Sequence, residues 1–191
     1  TEHVGDAATF VPTKNTAGVY EAHTYYAHFK LNTATVTVHH YLKGTTTKVA
    51  DDVTETKTIG TEYTATPVTT YQEKNLTVDS YDSSQTVTVS ADGNVITIYY
   101  TLPLTITAKT DSKTYDGTPL TGAYTISGEL SSDTETITTA LGTAPSITHV
   151  ADGPKQYLTT SEQSTITGIP GYYTVTYTPG TLTVTAATLT I

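Results

Sequence analysis

The stretch Ile96–Ile106, with the sequence ITIYYTLPLTI, sets the organisation of the chain. Up to Tyr100 its apolar residues alternate with polar ones, which is the period of a β-strand with one buried face. Pro103 follows, and proline has no backbone N–H to donate to a neighbouring strand. We therefore predict a short, stiff joint near Pro103, which separates a first module, residues 33–101, from a second module, residues 102–186.

The composition predicts an all-β protein. About a quarter of the 191 residues are threonine, 15 are tyrosine, and methionine, tryptophan and cysteine are absent. β-Branched and aromatic residues fit the pleated, half-buried surface of a sheet better than they fit a helix. At most one short helix is expected, over Pro67–Lys74 or over Ser131–Leu141, because no window shows a convincing helical recurrence of apolar residues.

Two turn sequences lie between alternating stretches and predict hairpins. Asp92–Gly93 is a pair that tolerates the positive φ angles of a tight turn. Tyr177–Gly180, YTPG, lies between the alternating stretches Tyr173–Tyr177 and Leu182–Thr185, so it should close a second hairpin.

The stretch Ser112–Gly122, SKTYDGTPLTG, concentrates turn-forming residues and threonines between predicted strands, as a sequence motif would. We interpret Asp116–Gly117 as a turn in which glycine supplies the positive φ angle. Tyr115 is expected to fill the adjacent core, and Pro119 to fix the direction in which the chain leaves the turn. This interpretation makes the motif part of the architecture rather than a chemical site.

The charge and the absence of cysteine exclude several classes of partner and site. The formal net charge is -9 and the isoelectric point is near 4.9, so the surface repels phosphate backbones and anionic lipid heads. No apolar run reaches the roughly 20 residues that span a bilayer. Without cysteine there is no disulfide framework and no thiolate metal site. We predict no nucleic-acid partner and no membrane insertion.

Pairs of nearby carboxylates are the first candidates for catalysis. A hydrolase with paired acids needs two carboxyl groups that face each other across about 5 to 10 Å. Neighbouring acids on a threonine-rich surface are more typical of solvated loops, and no nucleophile stands at a recognisable spacing from a base. We predict that the chain is not an enzyme and has no catalytic residue. The pairs are Asp51 with Asp52, Asp79 with Asp82, and Asp133 with Glu135.

The histidines do not form a metal-binding pattern. His39 and His40 are neighbours in a predicted strand, so their rings point to opposite faces and cannot bind one ion together. His23 and His28 are five residues apart and also lie on opposite faces if that stretch is a strand. The prediction is side-chain packing at a module surface.

The Asp-Gly turns at Asp92, Asp116 and Asp152 suggest calcium, but they lack the acid-rich spacing of a calcium loop. We therefore predict no metal and no cofactor. A calcium ion that bridges the modules, near Asp82–Ser84 and the turn at Asp152, stays open as an alternative.

Internal crosslinks of the Lys–Asn kind are a second open alternative, because several lysines lie in or beside predicted strands. The candidates are Lys30, Lys57 and Lys113 with Asn32, Asn75 and Asn94. Tyrosine faces offer apolar area with a polar edge and can stack on sugar rings. Tyr25, Tyr26, Tyr71 and Tyr81 are candidates for that role, but most of the tyrosines are expected to be core or cross-strand residues, so the ligand-binding residues are unknown.

Four stretches of the first module carry a resemblance to a known family. They are Val36–Gly44 (VTVHHYLKG), Gly60–Tyr63 (GTEY), Gln85–Val89 (QTVTV) and Gly93–Tyr100 (GNVITIYY). On these residues the module resembles the mucin-binding-protein repeat, MucBP, of Gram-positive surface proteins. It departs at Thr70–Tyr71, where a Gly-Tyr pair is usual. The resemblance implies a β-grasp-like, ubiquitin-related sheet.

The second module has its own signature in Lys113–Thr118, KTYDGT, with Gly128–Leu130 and Gly180–Val184 as later anchors. On these residues it resembles the MBG or YDG-type repeats of bacterial adhesins. We expect a small antiparallel sandwich of Ig-like type here, with a β-grasp variant as the alternative.

Both families are extracellular modules that are typically strung in arrays on wall-anchored proteins. The resemblance implies a non-enzymatic segment of a bacterial cell-surface adhesin, which binds host glycans or mucin-like glycoproteins and acts as a spacer. It implies a monomer in a tandem array. Two alternatives stay open: a purely mechanical stalk, and the accessory β-module of a secreted carbohydrate-active enzyme.

The ends of the chain suggest a piece of a longer protein, whose targeting and wall-anchoring signals lie elsewhere. The chain begins with Thr1 rather than methionine and has no signal-peptide pattern there. Residues 1–32 are expected to be the tail of a preceding module or extra strands. Residues 187–191, ATLTI, repeat the Leu-Thr-Ile of residues 104–106, so they are expected to begin a following repeat.

Overall fold

A computed structural model describes residues 14–20 and 31–189 of the chain and confirms the all-β class. We call residues 33–101 the first half and residues 102–186 the second half. The strands are β1 (Thr33–Leu42), β2 (Val53–Thr58), β3 (Glu62–Thr64), β4 (Thr70–Tyr71), β5 (Lys74–Asn75), β6 (Thr77–Tyr81), β7 (Thr86–Thr88), β8 (Val95–Ala108), β9 (Asp111–Thr114), β10 (Leu120–Thr121), β11 (Tyr124–Ser127), β12 (Ser146–Ile147), β13 (Lys155–Tyr157), β14 (Tyr173–Thr178) and β15 (Gly180–Thr185).

Two short α-helices, α1 (Thr134–Leu141) and α2 (Thr160–Gln163), lie in the second half. Helix α1 falls within one of the two stretches where a helix was predicted, whereas α2 was not predicted. The other stretch, Pro67–Lys74, contains β4 and a turn whose central residues have positive φ angles. Among the described residues no helix has the length and apolar character needed to cross a membrane.

Strand β8 is the centre of the molecule and belongs to both halves. Its even-numbered side chains from Ile96 to Ala108 are all buried, so one face of a single strand lies on the core over its whole length. The predicted joint at Pro103 is therefore not a break: the strand continues through it.

The backbone of β8 explains why a proline fits in this central strand. Even-numbered residues bond to one side, as when Lys43 N donates to the Tyr100 carbonyl and Leu102 N donates to the Tyr172 carbonyl. Odd-numbered residues face the other side, where β6 pairs with β8 as far as Thr101 and the last residue of β11, Ser127, lies opposite Thr105. Pro103 lies in the gap between those two neighbours, so its missing N–H costs the sheet no ladder bond.

The first half forms a sheet in the order β2-β1-β8-β6. Strands β1 and β8 are parallel, with Thr37 opposite Val95 and Leu42 opposite Tyr100, and both outer neighbours are antiparallel. Parallel, adjacent first and last strands are the arrangement that the β-grasp expectation requires.

The second half contains mixed sheets rather than the purely antiparallel pairing that was expected there. Strand β14 is parallel to β8 and β15 is parallel to β9, and both pairs keep the same register: Tyr173 lies opposite Leu102, and Leu182 opposite Asp111. Residues 173–185 therefore run parallel to residues 102–114 in a single register, and this ladder has a bend between its two paired segments. Adjacent parallel first and last strands are a feature of the β-grasp alternative.

The hairpin predicted at Tyr177–Gly180 is wrong, because β14 and β15 run in the same direction and pair with different strands. Gly180 serves a close approach instead. A Cβ atom at this residue would lie 2.5 Å from the carbonyl oxygen of Ala108. Glycine thus allows the backbones of the two strands to pack closely against each other at the bend.

The Asp92–Gly93 turn exists, with Gly93 at a φ angle of 72°, but it closes no hairpin. Strand β7 before the turn pairs with β3, whereas β8 after the turn pairs with β1 and β6. The Asp116–Gly117 turn is confirmed, with Gly117 at 81°. The core role predicted for Tyr115 is wrong: the side chain is 40% exposed, and its ring lies beside that of His149.

Candidate functional site

An open groove of about 830 Å³ lies on the surface of the first half, beside the end of β1. Its lining combines a lysine, an aspartate, a half-buried tyrosine and several hydroxyl groups. The lining residues are Lys43, Gly44, Thr45, Thr46, Thr47, Asp79, Ser80 and Tyr99.

One wall of the groove is the turn that ends β1. Gly44 supplies a φ angle of 68°, which lets the chain reverse directly after Lys43. The hydroxyl of Thr45 donates to the Leu42 carbonyl at 3.0 Å and accepts the N–H of Thr47 at 3.0 Å. The turn is thus fixed by its own threonine, while Thr46 projects from it toward solvent.

The opposite wall depends on an irregularity in β6. The register of β6 against β8 shifts between Val78 and Ser80, which leaves Asp79 as the extra residue of a bulge. Bulges redirect side chains. Here Asp79 Oδ1 accepts a hydrogen bond of 2.7 Å from Lys43 Nζ, across the width of β8. That bond lowers the pKa of the Asp79 carboxyl below its ordinary value.

Tyr99 lies on β8 between these walls. It occupies an odd-numbered position, so its side chain is on the face away from the core, with Tyr41 and Ser80 as its cross-strand neighbours. The groove therefore offers one aromatic face, one carboxylate acceptor, one ammonium donor and hydroxyls that can donate or accept. Because Lys43 is balanced by Asp79, the paired charges give no net charge to the groove.

The groove was not identified from the sequence. In the sequence Lys43, Gly44 and Tyr99 belong to the MucBP-like motifs and Asp79 to a pair of nearby acids, and neither pattern predicts a groove. Tyr71 and Tyr81 pack against the core, as most of the tyrosines were expected to do. Tyr25 and Tyr26 lie outside the described residues.

Four of the six carboxylates that were candidates for catalysis, namely Asp52, Asp79, Asp82 and Asp133, bond to different partners. Asp52 lies 2.8 Å from Lys48 Nζ and 2.9 Å from His39 Nδ1, and these contacts lower its pKa. Asp82 accepts the N–H of Thr97 at 3.0 Å. Asp51 and Glu135 are exposed.

Asp133 holds a pair of tyrosines in the second half. Its Oδ2 accepts the hydroxyls of Tyr172 at 2.8 Å and Tyr173 at 2.6 Å, and the Tyr173 oxygen accepts the N–H of Leu130 at 2.8 Å. Burial, with the hydrogen bond to Asp133, raises the pKa of Tyr172 to about 12. This cluster ties the chain before α1 to the start of β14.

The two adjacent histidines lie on opposite faces of β1, as predicted. His39 is at the surface beside Asp52, but His40 is completely buried, so the predicted surface location is wrong for His40. Its Nδ1 lies 2.8 Å from the Tyr100 hydroxyl, which also accepts the N–H of Val68 at 3.0 Å. The described residues contain no group of three or more potential metal ligands. His23 and His28 lie outside those residues.

Two of the three Asp-Gly turns, those at Asp116 and Asp152, use their carboxylates to bond the protein itself. Asp116 lies 2.6 Å from Lys113 Nζ and accepts the N–H of Thr118 at 2.9 Å, and these bonds hold its pKa well below the ordinary value. Asp152 accepts the N–H groups of Thr148 and His149 at 3.0 and 2.7 Å. Both aspartates thus fix local turns.

The crosslink candidates also have their own contacts. Lys57 Nζ lies 2.6 Å from Glu55, and Lys113 Nζ donates to the hydroxyl of Thr118 at 2.6 Å. The amide of Asn94 donates to the Ser90 carbonyl at 2.8 Å and accepts the Ser90 N–H at 2.7 Å. Lys30 lies outside the described residues.

A smaller cleft of about 460 Å³ lies between the two halves. It is lined by the turn between β4 and β5 on one side and by the chain that leads to α1 on the other. Its lining residues are Gln72, Glu73, Lys74, Glu129, Leu130, Ser131 and Thr134.

No protein-family model matches the chain, and none of the curated proteins matches it either. The likeness to MucBP and MBG repeats therefore rests on the short motifs quoted above.

Proposed function

We propose that the chain is a non-enzymatic segment of a bacterial cell-surface adhesin, which binds uncharged glycans in the groove beside β1 and serves as a spacer. The observation that carries the binding part is the combination of the Lys43–Asp79 pair with Tyr99 on an open surface. The motifs shared with MucBP and MBG repeats support the extracellular, wall-anchored setting and the role of a monomer in an array.

The chemistry of the groove suits a sugar. The face of a pyranose ring is apolar enough to stack on an aromatic side chain, while its hydroxyls need both donors and acceptors. Tyr99 supplies the aromatic face, and Lys43, Asp79 and the threonines of residues 45–47 supply the hydrogen-bond donors and acceptors. Because Asp79 neutralises Lys43, and the protein carries a net charge of -9, uncharged sugars of mucin-like chains fit better than sialylated or sulfated ones.

Binding of defined oligosaccharides tests this proposal. We expect the protein to bind uncharged mucin-type glycans on an array, and Asp79→Asn to weaken that binding by about 10- to 100-fold, because a hydrogen bond to a charged group contributes about 1.5 to 3 kcal/mol. Asp111→Asn is the matched control, since Asp111 makes a similar surface pair with Lys109, at 2.6 Å, in the second half.

Two results would overturn the binding proposal. One is an array without any glycan signal for a folded sample. The other is an equal loss of binding in the Asp79 and Asp111 variants. The first result would leave the purely mechanical stalk as the better function, and the continuous strand β8 through both halves favours that second candidate.

A further inference from the structure

We propose that the fold bears tension, with β8 as the strand that transmits load from one half to the other and with both halves loaded in shear. The inference rests on the spacer part of the proposed function, because a spacer is pulled when its ligand is held. It does not depend on the groove or on the identity of any ligand.

The first half has the geometry for shear. Force that enters at Thr33 acts on β1 from its first residue, and force that leaves toward the second half acts on β8 from its last residues. Because β1 and β8 are parallel and adjacent, these forces slide one strand along the other. The hydrogen bonds of the ladder are evenly spaced and slanted, so they share the load.

The second half repeats this arrangement over a longer ladder. Load arrives through β8 at Leu102 and leaves through β15 at Thr185, at opposite ends of the parallel ladder between residues 102–114 and 173–185. Strand β8 is thus the last strand of the β1–β8 pair and the first strand of the β8–β14 pair, both of which are loaded in shear. Because this one strand joins the halves, there is no linker between them that could extend at low force.

The bend in that ladder is held by side chains. At the bend the Tyr157 hydroxyl donates to the Lys109 carbonyl at 2.6 Å, and the N–H of Thr181 donates to the hydroxyl of Thr110 at 3.2 Å. Gly180 allows the close approach of the two strands at this point. The β8–β14 and β9–β15 segments are therefore coupled and must slide together.

Shear and peeling differ in how many bonds resist at once. When parallel strands are pulled from opposite ends, the ladder bonds are loaded together, and forced unfolding reports that barrier directly. When one strand is pulled from the end where its partner is also held, the bonds break one after another. A shear-loaded fold therefore resists pulling along one axis far more than its equilibrium stability alone predicts.

Single-molecule pulling with two pairs of attachment sites tests the proposal. The chain has no cysteine, so introduced cysteines give unique handles. Asn32→Cys with Ala186→Cys loads both ladders in shear. Asn32→Cys with Gly171→Cys pulls β14 from its first residue and peels it from β8. Both handle sites of the second pair are exposed, and a Cβ atom at Gly171 would have no atom of the described part of the chain within 4 Å.

We expect a severalfold higher rupture force for the shear pair than for the peeling pair at the same loading rate. The released length, about 3.5 Å per residue, identifies which half has opened. Urea unfolding of both double variants controls for damage to the fold and should give the same midpoint. Equal rupture forces at equal midpoints would overturn the proposal, whatever the glycan array shows.

Discussion

The two halves use the same parallel pairing of first and last strands, but they differ in how closely their backbones approach. In the second half a Cβ atom at Gly128 would lie 2.2 Å from the Pro103 carbonyl oxygen, and one at Gly180 would lie 2.5 Å from that of Ala108. In the first half, a Cβ atom added at Gly44 or Gly60 would have no atom of the described residues within 4 Å. The glycines of the first half serve turns, whereas these two in the second half serve packing of backbone on backbone.

The cores differ in a second way. The first half buries a histidine and a tyrosine in one polar chain, from the Val68 N–H through the Tyr100 hydroxyl to His40 Nδ1. Since the hydroxyl oxygen accepts from Val68, its hydrogen is free to donate to Nδ1, which leaves the proton of neutral His40 on Nε2. That atom is buried and has no hydrogen-bond partner among the described residues. We therefore expect the second half to be sensitive to added volume and the first half to be sensitive to charge.

The largest effect is expected from a single methyl group at the bend. Gly180→Ala should lower the free energy of unfolding of the second half by about 3 kcal/mol, because the added Cβ collides with backbone rather than with a side chain that can turn away. Urea unfolding, combined with hydrogen exchange of the amides in each half, measures the loss and locates it.

Gly60→Ala is the matched change in the first half. The added Cβ atom contacts no atom of the described residues. The only cost to the free energy of unfolding is the strain of an alanine at a φ angle of 88°, about 1 to 2 kcal/mol. Gly117→Ala should behave like Gly60→Ala, although it lies in the second half, since its Cβ position is also open. If Gly180→Ala costs no more than these two, the contrast between backbone approach and turn is wrong.

A smaller loss is expected when a buried hydroxyl is removed from either half. Tyr100→Phe leaves the Val68 N–H without its partner, and Tyr173→Phe does the same to the Leu130 N–H. Each change should cost about 2 kcal/mol, the penalty of an unsatisfied buried donor. Thermal unfolding of the two variants checks this, with Tyr20→Phe, at an exposed position, as the control.

The smallest effect is a pH dependence confined to the first half. Burial lowers the pKa of His40 below its ordinary value of 6.5; repulsion by His39 adds to this, and the Asp52 carboxylate opposes it. At pH values between the lowered pKa of folded His40 and about 6.5, the unfolded chain binds a proton on this histidine that the folded chain does not. The stability is therefore complete above about pH 6.5 and falls as the pH decreases toward the lower pKa of the folded state.

Hydrogen exchange of each half between pH 7 and pH 5 measures this dependence. His40→Gln should abolish the slope, because glutamine is neutral throughout and can still accept from Tyr100. His39→Gln should leave most of it, since His39 is only partly buried. A slope of equal size in both halves, or one that survives His40→Gln, would contradict the assignment to His40.

The parts of the fold that were predictable are those that depend on neighbours in the sequence. The alternation around Ile96 predicted a strand, Asp116–Gly117 predicted a turn, and the adjacency of His39 and His40 predicted opposite faces. The groove could not be predicted in this way. It depends on a bulge that turns Asp79 toward Lys43, 36 residues away in the chain.

The sequence by itself determined which residues of a strand share a face, because side-chain period follows from local backbone geometry. Only the tertiary structure decided which strands are neighbours and in which direction they run. Turn residues such as those at Asp92–Gly93 and Tyr177–Gly180 fix a local bend, but ladder bonds form between backbone groups that are alike at every residue. The partner of β14 is therefore set by the packing of distant side chains on the shared face of β8, and so is the continuation of that strand through Pro103.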